Sequence, residues 1–380
     1  MNFLIFSAQY LPHMGGIENF TYNISKELLS RGNKVTVVTN NTVNSPSFEI
    51  LDEIEVLRFN CYNFIDGRFP VYKKDSIYKE IFNHLDRRNY DLVIINARFY
   101  FHSILAAKYA NKRNIPVIVI DHGTSHLTVH NIVLDYFGGL FEHWLTNRLK
   151  KQCDSFYGVS KASSSWLEHF GILSKGEIYN AIDIKRIQSI KETSNNEYRK
   201  RHKIPKDAIV ISFTGRLIKE KGILQLIHVV QKINQEGNLV YCMIAGEGPL
   251  MENLSKLNDP HILILGRLSF EEVIHMLSES NIFCLPSDSE GFSTSILEAA
   301  ACKNYIVTTA RGGAREVLLD HTYGLVIDNN DETSVYDALI EAINNSNRNL
   351  GIEKTYDNVS CNFTWINSVD RLIDIIDKIN

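Results

Sequence analysis

The chain has 380 residues, 44% hydrophobic and 22% charged, with a net charge of −4. That length suggests two or three domains of roughly 150 residues each, and the ordinary composition supplies apolar material for more than one core. A weakly acidic chain has no global attraction for nucleic acid, although the charge is uneven: residues 1–180 hold 19 basic and 17 acidic side chains, residues 181–380 hold 21 and 27.

Six cysteines, at 61, 153, 242, 284, 302 and 361, are scattered without a CxxC pair or zinc-like spacing. Several sit in apolar runs, which fits buried free thiols in a reducing compartment. The opening MNFLIFSAQYLPH has no basic leader and only a short apolar run, so no signal peptide is expected. No apolar stretch reaches the roughly 18 residues of a spanning helix. The expectation is a cytoplasmic protein.

In chain order, NFLIFS is a predicted strand, followed by YLPHMGGIENF, where Gly15 and Gly16 precede a helix. Backbone can approach a ligand closely there, and the helix N-terminus favours negative charge. The pattern is neither a dinucleotide fingerprint nor a Walker loop. The helical pattern IENFTYNISKELLSRG ends in a glycine suited to a helix C-terminus. Predicted strands follow at KVTVVT, LVIINA, PVIVID and SFYGVS. After PVIVID come Asp121, His122 and His126; a histidine in such a turn can hydrogen-bond a hydroxyl or act as a base. These three residues do not predict a metal site, because no further carboxylate or cysteine lies at matching spacing. Next, NIVLDYFGGLFEHWLTNRLKK carries an aromatic and aliphatic stripe, then Arg148, Lys150 and Lys151. Such a segment packs on its own sheet or lies on a membrane surface.

A polar segment, KRIQSIKETSNNEYRKRHKIPKD, separates the halves. The second half repeats the scheme, with strands at AIVISFTG, LVYCMIAG, HILILG, IFCLP, YIVTTA and GLVID. Continuous aliphatic runs alternating with helices imply parallel sheets covered on both faces. Ligands bind beyond the carboxyl ends of such strands, and two such domains make the cleft between them the default site.

Arg216 and Lys221 follow the first of these strands, and a planar guanidinium with a mobile ammonium suits phosphate oxygens. The stretch SDSEGFSTSILEAA carries Glu290 and Glu298. Ser295 and Glu298 have the spacing of a capping box, which leaves Glu290 unexplained in the preceding turn. A strand, a glycine turn and a helix N-terminus also make an anion site. AGEGPL, LGRLSFEEV and ARGGAREV are further strand-to-helix turns. No D-x-D pair stands in an acidic turn, which argues against a metal-bound nucleoside diphosphate.

The ordered set GGIE, YNAID, FTGRLIKEKG, AGEGP, LGRL, LPSDSEGFSTSILEA and GGAREV resembles the retaining glycosyltransferases of family 4, over almost the whole chain. Seven residues separate Glu290 from Glu298, the family's E-x7-E spacing. The resemblance implies an α/β protein of the GT-B fold, two doubly wound Rossmann-like domains facing a cleft. The acceptor-side domain would span residues 1–180 plus a closing helix at about 364–380, and the nucleotide-sugar domain 181–363. It implies a nucleoside diphosphate-sugar donor, UDP-sugar foremost, with no cofactor and no metal. Arg216 and Lys221 would hold the diphosphate, Glu298 the ribose, and Arg267 and Leu268 would lie beside the base. Glu290 would face the transferred sugar as nucleophile or positioner, and the amides of Phe292, Ser293 and Thr294 would meet sugar and phosphate. The loop at Gly15 and Gly16 would close over the phosphates, and His122 would contact the sugar. The implied reaction is transfer with retention, giving an α-linkage, to a glycan hydroxyl in bacterial surface-polysaccharide assembly. The aromatic segment before Arg148, with the basic pairs Lys73–Lys74 and Arg87–Arg88, adds the expectation of a polyprenyl-linked acceptor and peripheral contact at the inner membrane face. Two departures stand out: Ser293 where the family often has glycine, bearing on the donor sugar, and Lys303 where many members have a turn glycine. The rival readings are a nucleotide-sugar epimerase, a phosphorylase, or a non-catalytic nucleotide-sugar binding protein.

Overall fold

Runs of Val, Ile, Leu and Phe become buried central strands in a computed structural model that describes residues 1–13, 15–64, 67, 69–126, 131–194 and 197–379. The chain divides into two units, Met1–Asn180 with Trp365–Asn380, and Ala181–Thr364.

The first unit holds β1 (Asn2–Ser7), β2 (Lys34–Asn40), β3 (Phe48–Leu51), β4 (Ile54–Phe59), β5 (Cys61–Phe64), β6 (Phe69–Tyr72), β7 (Leu92–Asn96), β8 (Val117–Asp121) and β9 (Phe156–Gly158). Seven of them form one sheet in the order β3-β4-β2-β1-β7-β8-β9. Pairing is parallel except between β3 and β4. Strands β5 and β6 make a separate antiparallel ribbon. Ile5 stands in register with Val37 on one side and Ile94 on the other, all buried.

Strands β3 to β6 are absent from the sequence reading, for a physical reason. Strand β3 alternates exposed and half-buried residues at the sheet edge, and β4 interrupts its apolar run with Glu55 and Arg58. Arg58 is nonetheless only 1% exposed. Its Nη1 donates to Glu49 Oε2 at 2.6 Å and to the Pro46 carbonyl at 3.0 Å, and its Nη2 donates to the Leu11 carbonyl at 2.9 Å. A buried charge persists when its donors are satisfied in this way, and here it ties β4 to the loop after β1.

One face of this sheet packs Leu4, Phe6, Val38, Val93 and Ile95 against Ala106 and Ala107 of the helix Phe101–Arg113 and Leu145 and Leu149 of the helix Ile132–Lys150. The helix Gly16–Ser30 packs against the C-terminal helix Trp365–Ile379. Trp365 meets Phe20 edge-on at 5.7 Å, and Arg31 pairs with Asp370 at 2.6 Å. Val369 and Leu372 are fully buried.

The second unit is a wholly parallel six-stranded sheet of β10 (Ile209–Thr214), β11 (Val240–Ala245), β12 (Ile262–Gly266), β13 (Ile282–Leu285), β14 (Tyr305–Thr309) and β15 (Leu325–Ile327). The order is β12-β11-β10-β13-β14-β15. Strand order reverses between β10 and β13, so the crevice at their carboxyl ends is the position where doubly wound sheets bind ligands. In the first unit the equivalent reversal lies between β1 and β7.

Candidate active site

The loops after β10 and β13 flank that reversal and are fastened to each other. The first contains the short 3-10 turn Lys219–Lys221 and ends at Gly222, whose φ of 68° places it in the left-handed region. Any Cβ at Gly222 would collide with the Pro286 carbonyl at the end of β13, so only glycine allows this approach. Across the junction the Ser287 hydroxyl donates to the Glu220 carbonyl at 3.1 Å, and the Asp288 amide donates to the same oxygen at 2.7 Å. The Lys221 ammonium donates to Glu290 Oε1, with both side chains largely buried. Two residues predicted separately, one for phosphate and one for sugar, are thus brought together.

The loop after β14 supports Glu290 from behind. A Cβ at Gly312, where φ is 53°, would sit 2.5 Å from the Gly291 carbonyl and 2.7 Å from the Glu290 carbonyl. Phe292 lies against Gly313 and packs, with its ring tilted, 5.2 Å from Phe363. Its ring is core, so Phe292 contributes backbone rather than side chain to the crevice. The helix Thr294–Ala301 then begins with Ser293 as N-cap, and no side chain caps it.

The capping box predicted for Ser295 and Glu298 does not form. The helix starts at Thr294, so Ser295 already lies inside it, whereas a capping residue must stand outside with extended dihedrals. The box belongs instead to Ser269 and Glu272: the Glu272 amide donates to Ser269 Oγ at 3.3 Å, and the Ser269 amide to Glu272 Oε2 at 2.7 Å. Glu298, relieved of that role, keeps part of its surface, and desolvation by burial pushes its carboxyl up to about 7.

Arg216 is exposed on the β10 loop next to Gly215. The Leu217 amide donates to the Glu247 carbonyl at 2.8 Å, which brings the β11 loop alongside. Arg267 is exposed with Nη1 3.8 Å from Glu247 Oε2, and Leu268 beside it is half-buried. Arg216, Arg267 and Leu268 therefore share the β10–β11–β12 side of the crevice, and Lys221, Glu290, Ser293, Thr294 and Glu298 the β13 side.

In the first unit, Gly15 is the N-cap of the helix Gly16–Ser30. A Cβ at Gly15 would lie 2.5 Å from Glu18 Oε2, while Gly16 faces open space. Burial raises the Glu18 carboxyl, opposed by hydrogen bonds from the Glu18 and Gly15 amides and by nearby His13. The first-turn amides foreseen for phosphate are thus shared with this carboxyl.

His122 follows β8 and meets the Phe20 ring edge-on at 4.9 Å. Its Nε2 is buried with no hydrogen-bond partner among the described residues, and burial pushes the imidazole down to about 3. It is therefore neutral at physiological pH and suited to hydrogen bonding rather than to proton abstraction. Asp121 turns inward: its carboxylate lies 3.3 Å from Arg98 Nε, and Arg98 Nη2 donates to Glu142 Oε1 at 2.6 Å. His126 Nδ1 lies 2.7 Å from Glu142 Oε2. Neither Arg98 nor Glu142 carries a local sequence signal, because the network joins β8, the turn after β7 and a later helix.

Two family models divide the chain between them: "Glycosyltransferase Family 4" matches residues 14–186 and "Glycosyl transferases group 1" matches residues 194–357. The chain belongs to the family 4 glycosyltransferases and has the GT-B fold. This glycosyltransferase is 25% identical over 390 residues to an uncharacterized glycosyltransferase of Methanocaldococcus jannaschii, covering 99% of this chain and 98% of that one. It is 23% identical over 393 residues to a phosphatidylinositol N-acetylglucosaminyltransferase subunit of Saccharomyces cerevisiae, covering 98% of this chain and 81% of that one. Among solved structures, Anabaena HepE in complex with UDP-glucose superposes with a TM-score of 0.75 at 16% identity, covering all of both chains. The glycosyltransferase is accordingly an enzyme of the hexosyltransferase type.

Proposed function

We propose that the enzyme transfers a sugar from a UDP-sugar, with retention and hence an α-linkage, to a hydroxyl of a glycan or lipid-linked saccharide during polysaccharide assembly. The observation that carries this reading is the Lys221–Glu290 pair at the strand-order reversal, with Arg216 on the same loop. Arg216 and Lys221 meet the diphosphate. At about 4 Å and an effective dielectric near 20, each contact supplies roughly 4 kcal/mol before desolvation. The same cations stabilise the charge that develops on the leaving diphosphate, the largest single contribution such a site can make. Glu298 accepts from the ribose hydroxyls, the base lies against Leu268 and Arg267, and Glu290 faces the sugar. The amides of Phe292, Ser293 and Thr294 line the helix N-terminus that receives the phosphate. In the first unit, the neutral imidazole of His122 presents a buried Nε2 suited to hydrogen bonding a sugar hydroxyl. The charge of the diphosphate is met by side chains and amides, so no metal is required at the donor. UDP-glucose bound to HepE and a lipid acceptor in the yeast relative's name support the donor and acceptor classes.

The acceptor side rests on the helix Ile132–Lys150. Its C-terminal half is anchored by buried Leu145 and Leu149, but Leu134, Tyr136, Phe137, Leu140, Phe141 and Trp144 remain exposed. Arg148 stacks on Trp144 at 4.4 Å, and a groove of about 520 Å³ alongside is lined by Lys74, Lys108 and Lys112. An apolar helix face rimmed by cations matches an anionic membrane surface, where a polyprenyl-linked saccharide resides.

Titration of the purified protein with UDP, GDP, ADP and CDP in EDTA tests the donor assignment. Saturable preference for UDP, lost in Arg216→Ala, is the expected result. No binding of any nucleotide under these conditions would overturn the metal-free donor site.

A further inference from the structure

Outside the donor crevice, three histidines from three elements converge on one point. His126 lies in the loop after β8, His143 on the helix Ile132–Lys150, and His169 is the C-terminal cap of the helix Lys161–Glu168. We propose that His126, His143 and His169 form a binding site for a divalent transition-metal ion, zinc foremost, distinct from the donor site. One ligand nitrogen of each lies within 4.8 Å of the other two.

The separations are those of ligands around one centre. His169 Nε2 lies 3.1 Å from His126 Nε2 and 3.1 Å from His143 Nε2. At zinc–nitrogen distances of 2.0–2.1 Å, tetrahedral ligand nitrogens stand about 3.3 Å apart. Hydrogen bonding alone satisfies this arrangement badly. A ring nitrogen carries either one hydrogen or one lone pair, so His169 Nε2 can make one well-directed bond, yet it faces two neighbours. A cation at the centre takes a lone pair from each ring at once.

The surroundings select the form that binds metal. His126 Nδ1 lies 2.7 Å from Glu142 Oε2, so the ring donates there and turns the Nε2 lone pair inward. Glu142 is buried and held by Arg98. A carboxylate behind a ligating histidine is the usual means of fixing its tautomer and orientation. His169 stacks on Trp166 with centroids 4.6 Å apart and 7° between planes, and His143 packs on Phe170 at 4.6 Å, so the rings are constrained. Three imidazoles and no oxygen ligand suit zinc, copper, nickel or cobalt rather than magnesium or calcium. His169 is exposed, which leaves the fourth position to water. The ion would fasten the loop that bears His122 to the apolar helix.

Untagged full-length protein, stripped with chelator, is dialysed against zinc at pH 7.5, and bound metal is counted by mass spectrometry. The expected result is one zinc per chain, a raised Tm, and a visible spectrum of four-coordinate cobalt when Co2+ is substituted. His143→Ala and His169→Gln are each expected to abolish the bound ion. His169 is exposed, so His169→Gln should retain the metal-free Tm of the wild type and separates lost ligation from lost folding. Magnesium should not bind, and zinc should be released as pH falls below about 6, where free imidazole protonates. Full zinc occupancy in both variants, or none in the wild type, overturns the proposal.

Discussion

Lys221 and Glu290 form an ion pair, so in the proposed donor site a diphosphate has to compete with a carboxylate for the ammonium. Their substitutions should therefore have opposite effects on nucleotide affinity. Lys221→Ala is expected to weaken UDP at least about tenfold, equivalent to about 1.4 kcal/mol. Glu290→Ala should bind UDP as well as or better than the wild type, because Lys221 is released, while turnover falls about 10²–10³-fold. Calorimetry and initial rates on the same samples separate the two effects; parallel losses of affinity would refute this division of roles. Glu298 supplies a pH dependence. Burial pushes its carboxyl up to about 7, so below that pH it is protonated and, in the proposed ribose-binding role, would accept less well from hydroxyls. The donor KM should rise as pH falls from 8 to 6, and Glu298→Gln should flatten that profile. The same group makes the ligand-free fold less stable as pH rises from the ordinary 4.5 to about 7, because the unfolded chain ionises first.

At the scale of elements, sequence patterning reveals what is buried on both faces and hides what is not. Strands β1, β2, β7 and β8 and the strands of the second unit are legible because their aliphatic runs are continuous. Edge strand β3 and the ribbon of β5 and β6 are not: β3 has one face in water, and β5 is exposed along most of its length. Arg58 disguises β4 because its partners, Glu49, Pro46 and Leu11, lie nine or more residues away. The helix start near Ser295 is legible to within two residues, and that difference puts Ser295 inside the helix, where it does not cap. The site shows the same division. Arg216, Lys221, Glu290 and Glu298 lie in the loops, or the helix opening, that follow β10 and β13, whereas the convergence of His126 with His143 and His169 depends on three elements meeting. The sequence of the helix Ile132–Lys150 suits either packing or a membrane surface; Leu145 and Leu149 are buried, whereas the residues from Leu134 to Phe141 include an exposed apolar set. Phe137, 62% exposed, is the position to test. Phe137→Glu should abolish flotation with anionic liposomes without moving Tm, and unchanged flotation would remove this helix from the membrane reading.

At the scale of the molecule, the first unit is built from both ends of the chain. The C-terminal helix supplies Val369 and Leu372 to its interior. Leu372→Ala should cost about 2–5 kcal/mol, seen as a lower urea midpoint for the unit containing Trp365. A midpoint within error of the wild type would show that the helix is dispensable there. This construction has a consequence for biosynthesis. Residues 1–180 leave the ribosome first, but the helix that packs over Phe20 emerges only after all of Ala181–Thr364. At about 5–20 residues per second, the delay is on the order of 10–40 s. The unit translated first is thus completed last, and its nascent form carries an uncovered apolar strip that invites chaperone capture throughout that interval.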